Sequence, residues 1–368
     1  LKKLLHLKRV RLLALIPIAF LFSLFGHLFP QFAEGYAETV YPLFSKAVSR
    51  AVSVFPFSLA ECLVAASIPA VLLFLAFSVR SVLRHPGERG SYAARAGLNL
   101  LCALGILYFA FVFSCGINYS RFPFSQVSGL AVRPSSTAEL KALCEELAGS
   151  ANSLRGDVKT DKNSVMRLSF DSMDSVAREA QSAYDTLEKT YPTLKSGYAR
   201  PKPVRNSRLM SYCNITGMFF PFTLEANVNI DVPEYTIPAT MCHELTHLRG
   251  YMREDEANFA AYLACRQSKS ADFRYSGTML AFISADNALF SADSKAGQAV
   301  YDGLNEGVRR DFAANSEYWR QFEGPVADTA EKMNDAYLKS NRQAEGVKSY
   351  GKMVDLLLAD YRKRHGIS

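Results

Sequence analysis

Charge is scarce in this chain: Asp, Glu, Lys and Arg make up 21% of its 368 residues, while hydrophobic residues make up 49%. That excludes a disordered or tail-like protein, which would carry more charge and too little apolar surface to bury. Histidine occurs only 6 times. The 7 cysteines form no CxxC pair and no Cys/His finger spacing, so zinc fingers and dithiol redox motifs are absent. Cys144, Cys213, Cys242 and Cys265 are expected as free thiols. No internal repeat, low-complexity tract or RNP-like aromatic motif is present.

Acidic residues are nearly missing from the first third. Residues 1–117 hold 11 Lys/Arg against 4 Asp/Glu, whereas residues 118–368 hold 31 of each. The net charge of +7 therefore belongs to the apolar part, and the larger part has no electrostatic footprint for a nucleic-acid partner.

What the first third has instead is length of apolar run. Leu12–Phe29, Phe57–Val79 and Gly97–Ile117 are each long enough to cross a hydrocarbon core of about 30 Å. Glu61 is the one formally charged side chain among them and is expected to snorkel to the interface from the start of its run. The basic residues set the orientation. Lys2, Lys3, Lys8, Arg9 and Arg11 precede the first run, and Arg80, Arg84, Arg89 and Arg95 join the second and third. Only Lys46 and Arg50 lie between the first and second. The positive-inside rule predicts a cytoplasmic N-terminus and an extracytoplasmic segment from Asn118 onward. A cleaved signal peptide ending near Gly35-Tyr36-Ala37 competes with this, but the apolar stretch exceeds an h-region of about 7–15 residues.

Beyond Asn118, residues 136–154 and 171–190 carry apolar side chains at helical spacing. Phe219–Leu224 and Asn227–Ile230 are the strand candidates. After Thr236 a helical texture continues to the end, with breaks predicted at Gly250, around Ser276, near Gly324-Pro325 and near Gly346.

At the start of that helical part stands His243-Glu244-Leu245-Thr246-His247. Thr236 is a candidate cap, Pro238 suits the first turn and Gly250 a stop. Residues four apart share a helix face, so the two imidazoles converge on one metal and Glu244 reaches a water bound to it. This is the pattern of zinc-dependent hydrolysis, with Glu244 as general base. The third histidine of an HExxHxxGxxH motif is replaced by Arg253, which cannot ligate. A second helix follows, opening Glu254-Asp255-Glu256-Ala257-Asn258. Glu254 can close the zinc site, and Asn258, at i+4, can fix a ligand imidazole by a hydrogen bond.

HExxH on one helix followed by this acidic motif on the next resembles the gluzincin metallopeptidases, which implies Glu254 as third zinc ligand and Asn258 where many members have Asp. The step from His247 to Glu254 is shorter than in most members, which leaves Glu256 as a rival ligand and Asp255 as a weaker one. A wider likeness covers nearly the whole chain. Three spans, Asn118-Tyr119-Ser120-Arg121, Gly217–Phe222, Glu225–Asn229, HELTHLRGY, REDEANF, Tyr337-Leu338-Lys339 and Gly346–Tyr350 together resemble a bacterial family of three-span membrane zinc metallopeptidases of unknown function. The order of elements is also similar to the membrane metallopeptidases of penicillin-sensing receptors.

The expected protein is mainly α. It has a three-helix transmembrane module over 1–117 and an α+β, zincin-like extracytoplasmic domain with a small β-sheet over 118–368. It sits in a bacterial cell membrane with Zn2+ as cofactor and a peptide or protein as substrate. The Asn227–Ile230 strand either packs the motif helix or receives an extended substrate. Tyr251, Arg253 and Tyr350 are the candidate oxyanion donors. The competing classes are a receptor or scaffold with a structural zinc site, which has no use for Glu244, and a transporter, which the apolar spans disfavour.

Overall fold

The computed structural model describes residues 9–341, 343 and 352–367. Lys2, Lys3, Lys8 and the Gly346–Tyr350 segment lie outside the described residues. Three helices are long and apolar enough to cross a membrane: α1 (Leu15–Leu28), within a crossing segment Arg9–Leu28, α3 (Leu59–Arg84) and α4 (Arg89–Ser114). The last two extend beyond their apolar runs into the Arg-rich turn that joins them. The third ends earlier than expected, because residues Gly116–Ser120 tighten into a 3-10 turn. The stretch between the first two crossings is helical. Its main element, α2 (Tyr41–Val52), buries Tyr41, Pro42, Ser45 and Ser49 and leaves Leu43 exposed.

Glu61 does not snorkel into open solvent. Its carboxylate accepts the backbone N–H groups of Arg205 (3.0 Å) and Asn206 (2.9 Å), tying the start of α3 to the larger part of the chain. A second tie is stronger. The first N–H groups of α3, which have no partner within the helix, point at buried Glu225: Leu59 at 3.1 Å and Ala60 at 2.7 Å. Lys202 pairs with the same carboxylate at 2.6 Å, and Ser58 donates to Asn227 at 2.6 Å. Removing one partner of such a buried pair leaves an uncompensated charge, a cost of about 3–5 kcal/mol.

Glu225 sits in a three-stranded sheet, β1 (Lys202–Pro203), β2 (Gly217–Phe220) and β3 (Glu225–Val228), in the order β1-β3-β2. β1 is parallel to β3 and β2 antiparallel to it, with Gly217 opposite Val228 and Phe220 opposite Glu225. β2 is thus an edge. Both strands begin about two residues earlier than the sequence pattern predicts, since the turn falls at residues 221–224, where Leu224 takes φ of +52°. A further two-stranded ribbon, Lys159–Thr160 with Met166–Arg167, had no sequence signal.

The helices of the larger part form around this sheet. α5 (Thr137–Leu154) opens with the Ser136/Glu139 capping pattern, the Glu139 N–H donating to Ser136 Oγ at 3.1 Å. α6 (Met173–Leu187) buries the apolar face predicted for it. The centre is α7 (Ile237–Leu248), α8 (Glu254–Gln267) and α9 (Ala271–Ala292), stacked on one another. α8 approaches closely through Ala257, Ala260, Ala261 and Ala264, all fully buried. After helices Ser294–Asp302 and Glu306–Arg320 come α10 (Pro325–Ser340) and α11 (Met353–His365).

α9 runs unbroken through Ser276, where a break was expected. Ser276 faces inward, and its Oγ accepts the Ala239 N–H at 3.0 Å, satisfying an orphan donor in the first turn of α7. It does the work assigned to Thr236, whose hydroxyl instead donates to Pro233 O. Gly277 beside it allows α9 to press on Cys265 of α8. All seven cysteines are free.

Candidate metal centre

α7 is almost entirely buried, so its motif is held from all sides. Its C-terminus closes as a Schellman motif: Tyr251 N–H donates to Thr246 O at 3.3 Å, Gly250 N–H to His247 O at 2.8 Å, and Gly250 adopts φ of +86°. That reversal sends the chain back within seven residues, and α8 begins at Glu254 facing the two imidazoles.

His243 Nε2 lies 3.0 Å from His247 Nε2. Glu254 places Oε2 at 3.2 Å from His243 Nε2 and Oε1 at 3.6 Å from His247 Nε2. The far side of each ring is fixed by an acceptor. His243 Nδ1–H donates to Asn258 Oδ1 at 2.7 Å, and His247 Nδ1–H to the Tyr251 carbonyl at 2.7 Å. With Nδ1 protonated on both rings, both Nε2 lone pairs face each other and a carboxylate. Groups this close are held together by a shared proton or by a cation among them. The electrostatics without metal say the same. Burial would depress both imidazoles, yet Glu254 lifts His243 to about 9, while His247 stays lowered to about 4. Without a metal, the protonated His243 supplies the positive charge that Glu254 attracts.

Glu244 lies one step round the helix, buried, with burial pushing its carboxyl up to about 8 against the pull of His243. The Phe219 N–H of β2 donates to it. Oε2 has no hydrogen-bond partner among the described residues. Glycine at 217 makes the room: a Cβ there would come within 2.8 Å of Glu244 Cγ and 2.8 Å of Thr240 Cγ2, and nearer still to Oε1.

The other sequence candidates are drawn elsewhere. Glu256 accepts the Phe124 N–H at 2.7 Å and pairs with Arg253 at 3.0 Å, so it faces away from the histidines. Asp255 does not belong to the His243, His247, Glu254 group either. Arg253 donates to the carbonyls of Arg121 (3.1 Å) and Phe122 (2.9 Å). The Tyr251 hydroxyl pairs with Thr193, and the ring lies under the Arg121 guanidinium at 3.9 Å. Tyr251 does reach the centre, through its backbone carbonyl. Tyr350 lies outside the described residues.

The cluster opens into a cavity of about 810 Å³ bounded by β2, α7, α9, α10 and the end of α4. Tyr119 and Tyr337, whose hydroxyls are 3.2 Å apart, also line it and feel the charge of Glu254. Both stood in segments that carry the sequence resemblance, Asn118–Arg121 and Tyr337–Lys339, but nothing in their spacing assigned them to the site.

Fold and cluster define a mainly helical chain with three helices fit to cross a membrane and a buried His/His/Glu group behind an edge strand. The chain belongs to the family described as "Protein of unknown function (DUF3810)", which matches it over residues 36–358. No curated protein and no solved structure matches it.

Proposed function

We propose that the chain is a membrane-anchored, zinc-dependent metallopeptidase with a zincin-like catalytic domain. His243, His247 and Glu254 are the metal ligands, Glu244 is the general base, and Asn258 fixes the first imidazole. The single observation that carries this is the pair of Nε2 lone pairs held 3.0 Å apart beside a carboxylate, with both Nδ1–H groups committed outward. Ligand atoms around a tetrahedral zinc at bonds of about 2.1 Å stand roughly 3.4 Å apart; the two Nε2 atoms are 3.0 Å apart, and each has a Glu254 oxygen nearby, Oε2 at 3.2 Å from His243 and Oε1 at 3.6 Å from His247. Two nitrogens and one carboxylate oxygen suit zinc. Three protein ligands leave a fourth position open, as catalytic sites do and structural sites do not.

Bound zinc would supply a water with its pKa lowered toward about 7 and polarise the scissile carbonyl. Glu244 Oε2, buried and without a protein partner, takes a proton and returns it to the leaving amine. The Phe219 N–H keeps that carboxylate in place while it does so. β2 is the edge strand, and beside the Phe219 N–H that Glu244 takes, its remaining outward backbone groups are offered to an extended peptide; the Tyr337 hydroxyl lines the same cavity as a donor for developing oxyanion charge. A receptor with a structural zinc site would need neither the open position nor Glu244.

The test pairs metal content with cleavage. The full chain should hold one zinc and cut a peptide library in a chelator-sensitive way, and Glu244→Gln should keep the zinc and lose the cleavage. A purified chain that takes up no zinc ends the proposal.

A further inference from the structure

We infer that the substrate of this site is the juxtamembrane segment of a polypeptide anchored in the same bilayer. The inference rests on the peptidase proposal and adds where the scissile bond must lie.

The cavity is partly walled by a membrane helix. Phe111 and Cys115, at the last turn of α4 and just beyond it, line it together with His243 and Glu254. Cys115 Sγ lies 3.6 Å from Met252 Sδ, and Met252 stands two residues before Glu254. The Phe111 ring meets Tyr337 edge-on, with centroids 6.3 Å apart. Metal ligand, turn and helix end are thus in direct succession, with no linker between them.

The height of that helix end follows from length. A hydrocarbon core takes about 20 helical residues; counted from Gly97, where the apolar run begins, these end near Gly116. The apolar run of α3 gives the same plane from the other direction, from Val79 back to Leu59. Leu59 and Ala60 are the residues whose N–H groups Glu225 holds, one turn of chain from β2. Two independent ties therefore fix the sheet and the ligand helices at the hydrocarbon boundary.

The cavity's chemistry agrees with that level. Among the described residues its wall is mixed: Phe, Met, Leu and Ile side chains alternate with Asn, Thr, Ser and Tyr, and the charged residues are Glu244, Glu254 and Glu331, with no Lys or Arg. Met218, Phe222 and Tyr337, which line it, are about 40% exposed, so apolar groups stand at its opening. A chain leaving the bilayer beside the end of α4 would lay its first extracted residues along β2.

The experiment uses the full chain with zinc in liposomes. One mixed-sequence fluorogenic peptide is attached to a single apolar membrane helix through about 3 or about 20 flexible residues, at equal surface density. The short tether should be cut roughly tenfold faster, because effective concentration at a surface cleft falls with tether length. Equal rates, or faster cleavage of the long tether, overturn the inference and leave the peptidase proposal standing. Cleavage of neither by the zinc-loaded chain overturns both. A second readout needs no turnover. With Glu244→Gln and a photo-crosslinking amino acid in place of Met218, the short-tethered peptide should be captured in preference to the long; equal capture overturns the inference.

Discussion

Replacing Gly217 by Ala isolates the role of one empty volume. The residue is not in a left-handed conformation, so alanine strains no backbone there; everything depends on space. The added carbon would stand 2.8 Å from both Glu244 Cγ and Thr240 Cγ2, against a comfortable carbon–carbon separation of about 3.5–4.0 Å. Something must shift by about 1 Å. The β2 backbone is held by its ladder to β3, and α7 is buried around Thr240, so the Glu244 side chain is the part free to yield. A misplacement of about 1 Å in a positioned catalytic group costs on the order of 100-fold in rate, while overpacking costs about 1–3 kcal/mol in stability. The ligands stand on the other side of the helix step and keep their places. The expected result is a chain with full zinc content, a modestly lowered Tm and kcat reduced about 100-fold. Gly149→Ala is the control: nothing lies within 4 Å of its added carbon, and in the middle of α5 it should raise stability by about 0.5–1 kcal/mol. A Gly217→Ala chain with wild-type zinc, Tm and kcat would refute the placement of Glu244 against β2.

Exchanging the two carboxylates one at a time separates ligand from scaffold. Glu254→Gln should lose stoichiometric zinc, measured by metal analysis after dialysis, with the fold intact. Glu256→Gln should keep zinc but lower Tm, since it weakens the hold on Phe124 N–H and Arg253. Asn258→Leu removes the acceptor for His243 Nδ1 and should weaken zinc about 10–100-fold in a chelator competition; an unchanged affinity would show that this hydrogen bond does not orient the ring. Asp286 gives a pH signature away from the centre. Burial raises its carboxyl to about 6 from an ordinary 3.8, so the folded state binds its proton more tightly than the unfolded chain. Its penalty is absent below about pH 4, grows as pH rises toward 6 and is then constant. Asp286→Asn should therefore raise stability at pH 8 by about 1 kcal/mol, the half-exposed carboxyl being screened by solvent, and leave it unchanged near pH 3, by urea unfolding at both pH values.

The grouping of His243, His247 and Glu254 was legible in the sequence because its signal is local. Four-residue spacing puts His243 and His247 on one helix face whatever surrounds them, and Gly250 marks the reversal that returns Glu254 to that face. The choice between Glu254 and Glu256 was not legible, because it is made by Phe124, some 130 positions away, whose backbone N–H draws Glu256 off. Tyr251 shows the same limit in another form. Sequence offers its hydroxyl, but Thr193 and Arg121 occupy that end, and the turn leaves the carbonyl as its contribution. The three apolar crossings were equally plain, since length and composition suffice for them. What periodicity could not carry was the docking of those helices onto the larger part of the chain. It is made by single polar contacts, Glu61 with the 205–206 backbone and Glu225 with the first N–H groups of α3, between segments far apart in the chain. A carboxylate at position 61 looked like an interfacial charge because its own helix has no partner for it. Its partner lies in a loop whose fold depends on the sheet, and the sheet depends in turn on the helix that Glu225 caps.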